Sequence, residues 1–371
     1  MTTALQRQAD LANFRALAAR ANPDESMVGL IARMAEAAGV PPTRLMRDFA
    51  GLSFGPGRVS FSDYARLRLY DEAFWAASDR RSVVGHRRGR ELALQANFRH
   101  DWFGLASNRV AASAYLATHG LPVAPLEAIF VSELATPSPN LLRTRDELRQ
   151  FLNQRIGRPL VGQPAEGGGA RVIFGDAHID PATEIDHLIE DVCDNHAGGY
   201  LFQPLLAPHA KFGPFVGGHL AAVRLVTLAG GAEPRVFRAV WKLPGRHEYL
   251  AQLDLKTGQV LRVTSGSGPD LAEVRAGASL LALTIPDWEA MKATAVEGAR
   301  LMRHLGLIGW DIAPAEDGPV ILKMTPTPDL LPHQLADREG VLDPEFLDFL
   351  EGQRQAGAEH AELARTDDGW L

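Results

Sequence analysis

The chain has 371 residues, with 38 basic and 45 acidic side chains and a formal net charge of −7. At about 100–200 residues per domain, this length predicts two or three packed units. A hydrophobic content of 46% is enough for a sizeable core and excludes wholesale disorder. The mild acidity argues against a dedicated nucleic-acid binder, which needs a basic surface.

Cysteine content and hydropathy exclude further classes. Cys193 is the single cysteine, so the sequence excludes an intramolecular disulfide framework and a cysteine-rich zinc site, and we expect a buried, inert thiol there. The first 20 residues lack the apolar core of a secretory signal, and no window approaches 18 consecutive apolar residues. We therefore expect a cytoplasmic protein without a membrane span.

Helical spacing of apolar residues dominates the first hundred residues. It predicts four helices, over residues 4–19, 27–38, 43–49 and 64–74, with Ser62 and Asp63 as the cap of the fourth. A dense basic run follows. It contains Arg80, Arg81, Arg87, Arg88 and Arg90. Two interpretations stay open for this run: a solvated surface whose charges pair with nearby acids, or a contact for an anionic ligand.

Strands and helices mix from about residue 105 onward. The pattern predicts helices over 107–119, 144–156, 184–193, 288–305 and 344–365, and short strands over 128–131, 159–162, 172–174 and 200–206. Three hairpins are predicted, joining 220–228 to 236–243, 249–255 to 259–263, and 308–313 to 319–324. The fold class is therefore α+β, with helices first and then mixed layers around an antiparallel sheet.

A glycine loop lies between two of the predicted strands. It comprises residues 165–171, with Gly167, Gly168 and Gly169 at its centre, and its unshielded backbone N–H groups suit phosphate oxygens. No Lys-Ser/Thr pair follows it, which excludes a P-loop, and a strand follows where a Rossmann fingerprint requires a helix. A flexible hairpin is the equal alternative.

Three charged side chains lie in otherwise apolar strands. Asp311 and Lys323 fall on the two strands of the last hairpin, where they form either a salt bridge or a metal or phosphate site. Arg224 needs an anionic partner, either an acidic side chain or a ligand, because an unpaired guanidinium is costly among apolar residues. Lys242 poses the same question on the neighbouring strand.

Several segments, taken in order, resemble the sugar-transfer-associated ATP-grasp family, which is related to α-L-glutamate ligase-like proteins. The resemblance covers about residues 60–335 and rests on segments 61–64, 67–70, 105–109, 120–122, 165–171, 201–206 with His209, 223–227, 309–312 and 318–322. It implies four consecutive regions: a helical N-terminal region (1–103), a first lobe with a glycine-rich lid (104–199), a second lobe (200–340), and a C-terminal helix and tail (341–371).

The resemblance also implies a chemistry. Members of the family hold a nucleotide between two α+β lobes and use ATP and Mg²⁺ to activate a carboxylate as an acyl phosphate. An amine or another nucleophile then attacks it. The implied partners are a nucleotide and a carboxylate-bearing small molecule or peptide, without nucleic acid. A protein partner would bind through the helical N-terminal region.

Carried onto this sequence, the resemblance assigns site residues. Arg224, Lys242 and Lys323 would be the catalytic cations. Nucleotide contacts would come from Arg109, Gln163, Gly167, Gly168, Gly169, Gln203, Leu205 and His209, with residues 203–205 as the hinge at the adenine. Asp311 would bind the metal.

The sequence departs from the family pattern at several positions. Asn108-Arg109 replaces Asp-Lys, Gln163-Pro164 replaces Lys-Pro, Lys323-Met324-Thr325 replaces Glu-x-Asn, and an Asp-Asn segment expected near residues 245–250 is missing. Because Lys323 puts an ammonium where a carboxylate is expected, Mg²⁺ binding should be weak or lost.

Three hypotheses therefore stay open. The first is an ATP-dependent carboxylate ligase with a rearranged and impaired site, in which Arg109, Arg224, Lys242 and Lys323 clamp the phosphates. The second is a degenerate, non-catalytic ATP-grasp protein that serves as a binding or partner module. The third is an unrelated α+β carbohydrate or peptide binder.

Overall fold

The computed structural model describes residues 26–367 apart from 77, 132–139, 177, 197, 213–219, 231–232, 244–248, 266–279 and 282. The helix predicted over 4–19 and the departure near 245–250 lie wholly or mostly outside this part of the chain. The fold is α+β, as the sequence predicts, with a helical N-terminal region and antiparallel strands beyond it. Among the described residues, no helix combines the length and apolarity that crossing a bilayer requires.

Eleven helices and eleven strands follow one another in the described part of the chain. The helices are α1 (Met27–Ala37), α2 (Pro42–Ser53), α3 (Phe61–Arg66), α4 (His86–Ala96), α5 (Phe103–Ser107), α6 (Arg109–Thr118), α7 (Arg145–Asn153), α8 (Pro181–Asn195), α9 (Trp288–Leu301), α10 (Leu331–Asp337) and α11 (Pro344–Asp367). The strands are β1 (Ala128–Phe130), β2 (Leu141–Leu142), β3 (Leu160–Pro164), β4 (Arg171–Ile173), β5 (Tyr200–Pro204), β6 (Val223–Leu228), β7 (Arg235–Leu243), β8 (Tyr249–Leu253), β9 (Val260–Ser265), β10 (Leu307–Ala315) and β11 (Gly318–Thr325).

The contacts group these elements into two compact units, and neither unit is a continuous piece of sequence. The first unit contains Met1–His100, Ala221–Trp310 and Thr325–Leu371. The second contains Asp101–Leu220 and Asp311–Met324. The four consecutive regions that the resemblance implies stay a prediction. Local patterns do not show which distant segments pack together. We describe each unit by itself.

The larger of the two sheets has six strands, in the order β11-β10-β6-β7-β8-β9. Its β6–β7 and β8–β9 pairs are antiparallel hairpins, as predicted, and the first carries a bulge between Val226 and Thr227. Trp310 on β10 is fully buried and donates its indole N–H to the Thr227 hydroxyl over 2.9 Å. Gly298 on α9 allows this packing, since a Cβ there would lie 2.6 Å from the Trp310 ring.

The N-terminal helices of the first unit begin and end at local signals, and one prediction there is wrong. Ser60, not Ser62, caps α3, in a capping box in which Asp63 accepts the Ser60 backbone N–H. The helix predicted over 64–74 stops at Arg66. Arg68 adopts a left-handed φ of 54°, and Trp75 then donates its indole N–H to the Leu67 carbonyl, so side-chain contacts replace the helical ladder.

The basic run contains a helix that the sequence analysis did not identify. His86–Ala96 forms α4 and buries Leu92, Ala93 and Ala96. Arg87 and Arg88 lie within 3.3 Å of the Glu91 carboxylate. For these two arginines, pairing with a nearby acid is therefore the interpretation that the structure supports.

The second unit contains a sheet with strand order β2-β1-β5-β3-β4. β5 is antiparallel to both β1 and β3. Helices α7 and α8 supply Leu148, Leu152, Ile185 and Val192 to a core that also contains residues of β1, β3 and β5. Thr144 caps α7 in a capping box with Glu147, which explains why this helix begins where the sequence predicts.

Candidate functional site

The glycine-rich loop of the second unit joins β3 to β4. Gly167 and Gly168 have φ of 63° and 58°, in the left-handed region that favours glycine. A Cβ on Gly168 would also lie 2.7 Å from Cγ of Pro164. The loop conformation therefore depends on glycine at position 168 for both its backbone angles and its close approach to Pro164.

Helix α6 begins directly beside this loop. The Asn108 side chain caps the helix by accepting the N–H groups of Val110 and Ala111, both over 3.1 Å. The Arg109 backbone N–H donates to the Ala165 carbonyl over 3.0 Å. The start of the helix and the start of the loop are thus fixed to each other by the main chain.

The Arg109 side chain holds the loop by its carbonyl groups. Its guanidinium donates to the carbonyl oxygens of Pro164, Gly167 and Gly168, the last two over 2.6 and 3.1 Å. Burial lowers the pKa of Arg109, and the negative charge of Asp311 partly offsets this effect. An arginine in this setting stays protonated. Its predicted contact with a nucleotide stays a prediction, and the contact that the structure shows is with the loop.

The amide groups of the same loop are uncommitted. Residues 167–170 are exposed, and none of the hydrogen bonds in the described part of the chain is donated by their backbone N–H groups. Arg109 engages carbonyl groups of this loop, so the backbone N–H groups of the loop are the part available to a ligand. Successive backbone N–H groups in such turns form anion-binding concavities.

Gln163 and Gln203 are brought together on adjacent strands. Gln163 donates its side-chain N–H to the Gln203 amide oxygen over 2.7 Å, and Gln203 donates to the Ala124 carbonyl over 3.1 Å. Both side chains are buried. This chain of hydrogen bonds fixes the segment that the sequence assigns to the adenine hinge, and it satisfies polar groups that would be costly if left unpaired.

Leu205 and His209 follow β5. The Leu205 N–H donates to the Pro159 carbonyl over 3.2 Å, and the His209 N–H donates to the Pro314 carbonyl over 3.0 Å. The His209 ring accepts the Lys211 N–H at Nδ1. Both residues are half-buried at the end of the strand, and their nucleotide contacts stay predictions.

Asp311 and Lys323 lie on the neighbouring strands β10 and β11, as predicted, and both are half-buried. Lys323, Arg109 and Ser113 line one small cleft of about 10 Å³. This volume suits about one water molecule. Two cationic side chains therefore border a single small opening beside helix α6.

The metal contact that the resemblance assigns to Asp311 stays a prediction. Mg²⁺ prefers several oxygen ligands, of which carboxylates supply the negative charge. Among the residues that the structure describes, no group of three histidine, cysteine or acidic side chains is placed to hold a metal. The cations Arg109 and Lys323 border the nearby cleft instead.

Arg224 and Lys242 belong to the first unit. Arg224 on β6 lies opposite Val240 on β7, and Lys242 follows Val240 by two residues, so both cations are on one face of the sheet. Arg224 is buried and Lys242 is half-buried. Their side chains are close enough to the same histidine to influence its protonation, as described next.

His333 on α10 is a buried polar residue that the sequence analysis did not single out. It is fully buried, and neither ring nitrogen has a hydrogen-bond partner. Burial lowers its pKa well below the usual value, and the positive charges of Arg224 and Lys242 lower it further. A histidine inside the apolar run Leu330-Leu331-Pro332 to Leu335 was the available signal.

The sequence analysis also missed an ion pair, which joins His86 on α4 to Asp329 in the segment before α10. His86 Nδ1 lies 3.5 Å from Asp329 Oδ1. Burial alone would raise the pKa of Asp329, but the hydrogen bond from His86 and the charge of Arg66 hold it at about 2. The contact therefore keeps this carboxylate ionised inside the first unit.

Comparison with known proteins gives partial similarities. No family model matches the chain, and no curated protein matches it. A D-alanine–D-alanine ligase from Coxiella burnetii is similar with a TM-score of 0.44 and 12% identity, over 71% of this chain and 62% of that chain. The ATP-grasp ligase PsnB, complexed with a phosphomimetic precursor variant, Mg and ADP, is similar with a TM-score of 0.38 and 16% identity, over 77% and 64%.

A third similar structure is N5-carboxyaminoimidazole ribonucleotide synthetase from Thermotoga maritima, with a TM-score of 0.33 and 10% identity, over 60% of this chain and 42% of that chain. The chain thus spans less than two thirds of the length of each of these three proteins. Similarities of this size do not establish a common activity.

Proposed function

We propose that this chain is an ATP-grasp-type protein that binds a nucleoside triphosphate at the glycine-rich loop and acts as an ATP-dependent carboxylate–amine ligase. One observation carries the proposal: Arg109 holds the loop by the carbonyls of Gly167 and Gly168, and the loop's exposed N–H groups are uncommitted. The order of sequence segments that resembles the ATP-grasp family adds the direction of the chemistry.

The loop fits a triphosphate on electrostatic grounds. A phosphate oxygen accepts hydrogen bonds from backbone N–H groups without displacing any contact of the loop. Arg109 supplies positive charge beside the loop, and Lys323 lines a small cleft together with Arg109. Charge neutralisation and positioning are the main demands of phosphoryl transfer, so these residue types suit the reaction.

The proposed reaction has two steps. A substrate carboxylate oxygen attacks the γ-phosphorus while the bond to the bridging oxygen of ADP breaks, which gives an acyl phosphate and ADP. An amine nitrogen then attacks the acyl carbon, phosphate leaves, and the nitrogen loses a proton.

The hinge residues act indirectly in this proposal. The amide groups of Gln163 and Gln203 are engaged with each other and with the Ala124 carbonyl. They are positioning residues that fix the segment ending at Leu205, against which the base would lie. His209, which follows Leu205 by four residues, is proposed as a contact for the ribose or a phosphate.

A second candidate function is a non-catalytic nucleotide-binding or partner module. It is favoured by Lys323, which puts an ammonium on β11 where the family pattern has a carboxylate. A ligase of this type would use Mg²⁺ to neutralise phosphate charge, whereas a binding module would not need it. The two candidates differ in whether Mg²⁺ changes nucleotide binding.

The test of nucleotide binding is the thermal shift of the full chain with millimolar ATP, with and without Mg²⁺. A ligand present at 100 times its dissociation constant stabilises the folded state by about 2.7 kcal/mol, which gives a clear shift. We expect Gly168→Ala to reduce the shift, because it disturbs the loop, and Gly169→Ala to leave most of it. Absence of any shift with the unmodified chain would reject the ligase and the nucleotide-binding form of the second candidate.

A charge-reversed variant tests the role assigned to strand β11 in Mg²⁺ binding. Replacing Lys323 by Glu and Thr325 by Asn restores the oxygen ligands that the family pattern places on β11. We expect Mg²⁺-dependent nucleotide binding to become stronger in this double variant. A folded double variant that binds no better with Mg²⁺ would contradict the role assigned to this hairpin.

A further inference from the structure

The first unit contains a cavity of about 540 Å³ between helix α2 and the segment around residues 78–83. Ligand pockets in proteins are typically about 300–1,000 Å³. Three of its lining residues, Arg47, Gly51 and Phe54, are exposed, so solvent reaches it. The proposed nucleotide site does not use any of its residues.

One wall of this cavity is held in place by an ion pair. Arg80 donates to both carboxylate oxygens of Asp48 over 2.9 and 3.0 Å, and it also donates to the Leu69 carbonyl. The buried Tyr64 donates its hydroxyl hydrogen to Asp48 over 2.8 Å. The charges of Arg80 and Asp48 therefore cancel, and their geometry is fixed before any ligand arrives.

Two other arginines of the cavity are left without a carboxylate partner. In the described part of the chain, neither Arg47 nor Arg81 takes part in a salt bridge or a side-chain hydrogen bond. The Asp79 carboxylate accepts the backbone N–H of Arg81 over 2.9 Å and does not reach its guanidinium. Three arginines against two aspartates give the cavity a net positive charge.

The cavity also has an apolar side. Leu52 and Val83 are buried in its lining, and Phe54 at its edge is 92% exposed. A phenylalanine ring so open to water buries apolar area when a flat group packs on it. Gly51 and Gly55 flank it without side chains.

We propose that this cavity binds a small organic anion, with a carboxylate or phosphate head group held by Arg47 and Arg81 and an aromatic or apolar body against Phe54. Guanidinium groups form charge-assisted, bidentate hydrogen bonds with both kinds of head group. The fixed Arg80–Asp48 pair supplies the wall rather than the charge.

The experiment measures binding of four probes to the full chain by isothermal titration calorimetry: phenyl phosphate, phenylacetate, inorganic phosphate and benzyl alcohol. The two aryl anions report which head group is preferred. We expect at least one aryl anion to bind about 10-fold or more tightly than both inorganic phosphate and benzyl alcohol, because only it combines charge and an apolar body.

Matched variants assign the binding to the cavity. Replacing Arg47 and Arg81 together by Gln should weaken the preferred aryl anion about 10-fold or more, since two charge-assisted contacts are lost. Phe54→Ser should weaken binding of the same anion about 3-fold, which is a smaller effect than that of the double arginine variant. Arg90→Gln is the control, because Arg90 is an exposed arginine of α4 outside the cavity lining.

The outcomes are decisive because all four substituted side chains are exposed and their loss leaves the core intact. Equal weakening by Arg90→Gln would show unspecific attraction and overturn the proposal. Unchanged affinity in the Arg47/Arg81 variant, or no saturable binding of either aryl anion below about 10 mM, would also overturn it. The ATP thermal shift is a separate measurement, so its result leaves this test unaffected.

Discussion

Each compact unit contains polar groups without a hydrogen-bond partner, and two of these groups form a contrast. In the second unit, backbone N–H groups of the exposed loop 167–170 are uncommitted. In the first unit, both ring nitrogens of the fully buried His333 lack a partner. Exposed amides bond to water at little cost and can exchange it for a ligand, whereas a buried unpaired group costs stability and links protonation to folding. The first arrangement suits binding, and the second predicts pH dependence.

The largest expected effect tests what holds the loop in the second unit. Replacing Arg109 by Met leaves the carbonyls of Pro164, Gly167 and Gly168 without their donor. We expect the free energy of unfolding to fall by about 3 kcal/mol, and the ATP-dependent thermal shift to disappear. Urea denaturation measures the first effect.

The matched control is Arg90→Gln on the exposed side of α4, which should change the unfolding free energy by less than about 0.5 kcal/mol. If Arg109→Met were equally mild, the loop would hold its shape without the arginine. The role assigned to Arg109 in holding the loop would then be wrong.

The next effect concerns pH and the first unit, where His333 and Asp337 lie on the same short helix. The pKa of His333 is depressed, so its neutral form stabilises the fold above about pH 6.5 and that stability is lost as pH falls. Burial raises the pKa of Asp337 to about 7, although Arg238 opposes this, so its contribution is lost as pH rises towards 7. In the native protein, the two groups therefore change the free energy of unfolding with pH in opposite directions.

Single substitutions separate the two slopes, each of about 1.4 kcal/mol per pH unit at most. Between about pH 4.5 and 6.5, we expect the free energy of unfolding of His333→Leu to fall as pH rises, because only the Asp337 effect remains. We expect that of Asp337→Asn to rise over the same range, because only the His333 effect remains. Denaturant unfolding at each pH checks both. Parallel pH profiles for the two variants would contradict the assignment.

The smallest effect compares two neighbouring glycines of the loop. Gly168→Ala should cost about 1–2 kcal/mol, because φ is 58° and the added Cβ meets Pro164. Gly169→Ala should cost about zero, because its φ is not positive and no atom lies within 4 Å of the added Cβ. If both substitutions lowered the free energy of unfolding equally, the backbone conformation at Gly168 would not explain the effect.

Local signals in the sequence predicted much of the fold. The capping residue Thr144 marks the start of α7, and the turns between alternating segments predict the hairpins β6–β7 and β8–β9. The glycine loop between two strands was also found at its position. These features depend on residues a few positions apart, so single-sequence patterns contain them.

The helix α4 and the end of α3 were not predicted, and both depend on packing. In α4, arginines obscure the apolar face formed by Leu92, Ala93 and Ala96. α3 ends at Arg66 because Leu67 and Trp75 make a tertiary contact there. Neither feature has a strong local signal.

The candidate site shows the same division. The sequence by itself determined which residue types are present, namely a glycine loop, two cations at Arg224 and Lys242 and one carboxylate at Asp311. Only the tertiary structure decided that Arg109 reaches loop carbonyls 55 to 59 positions away, that Gln163 pairs with Gln203, and that His333 is enclosed. These contacts join distant parts of the chain, and their partners are selected by the packing of the whole unit rather than by any local preference.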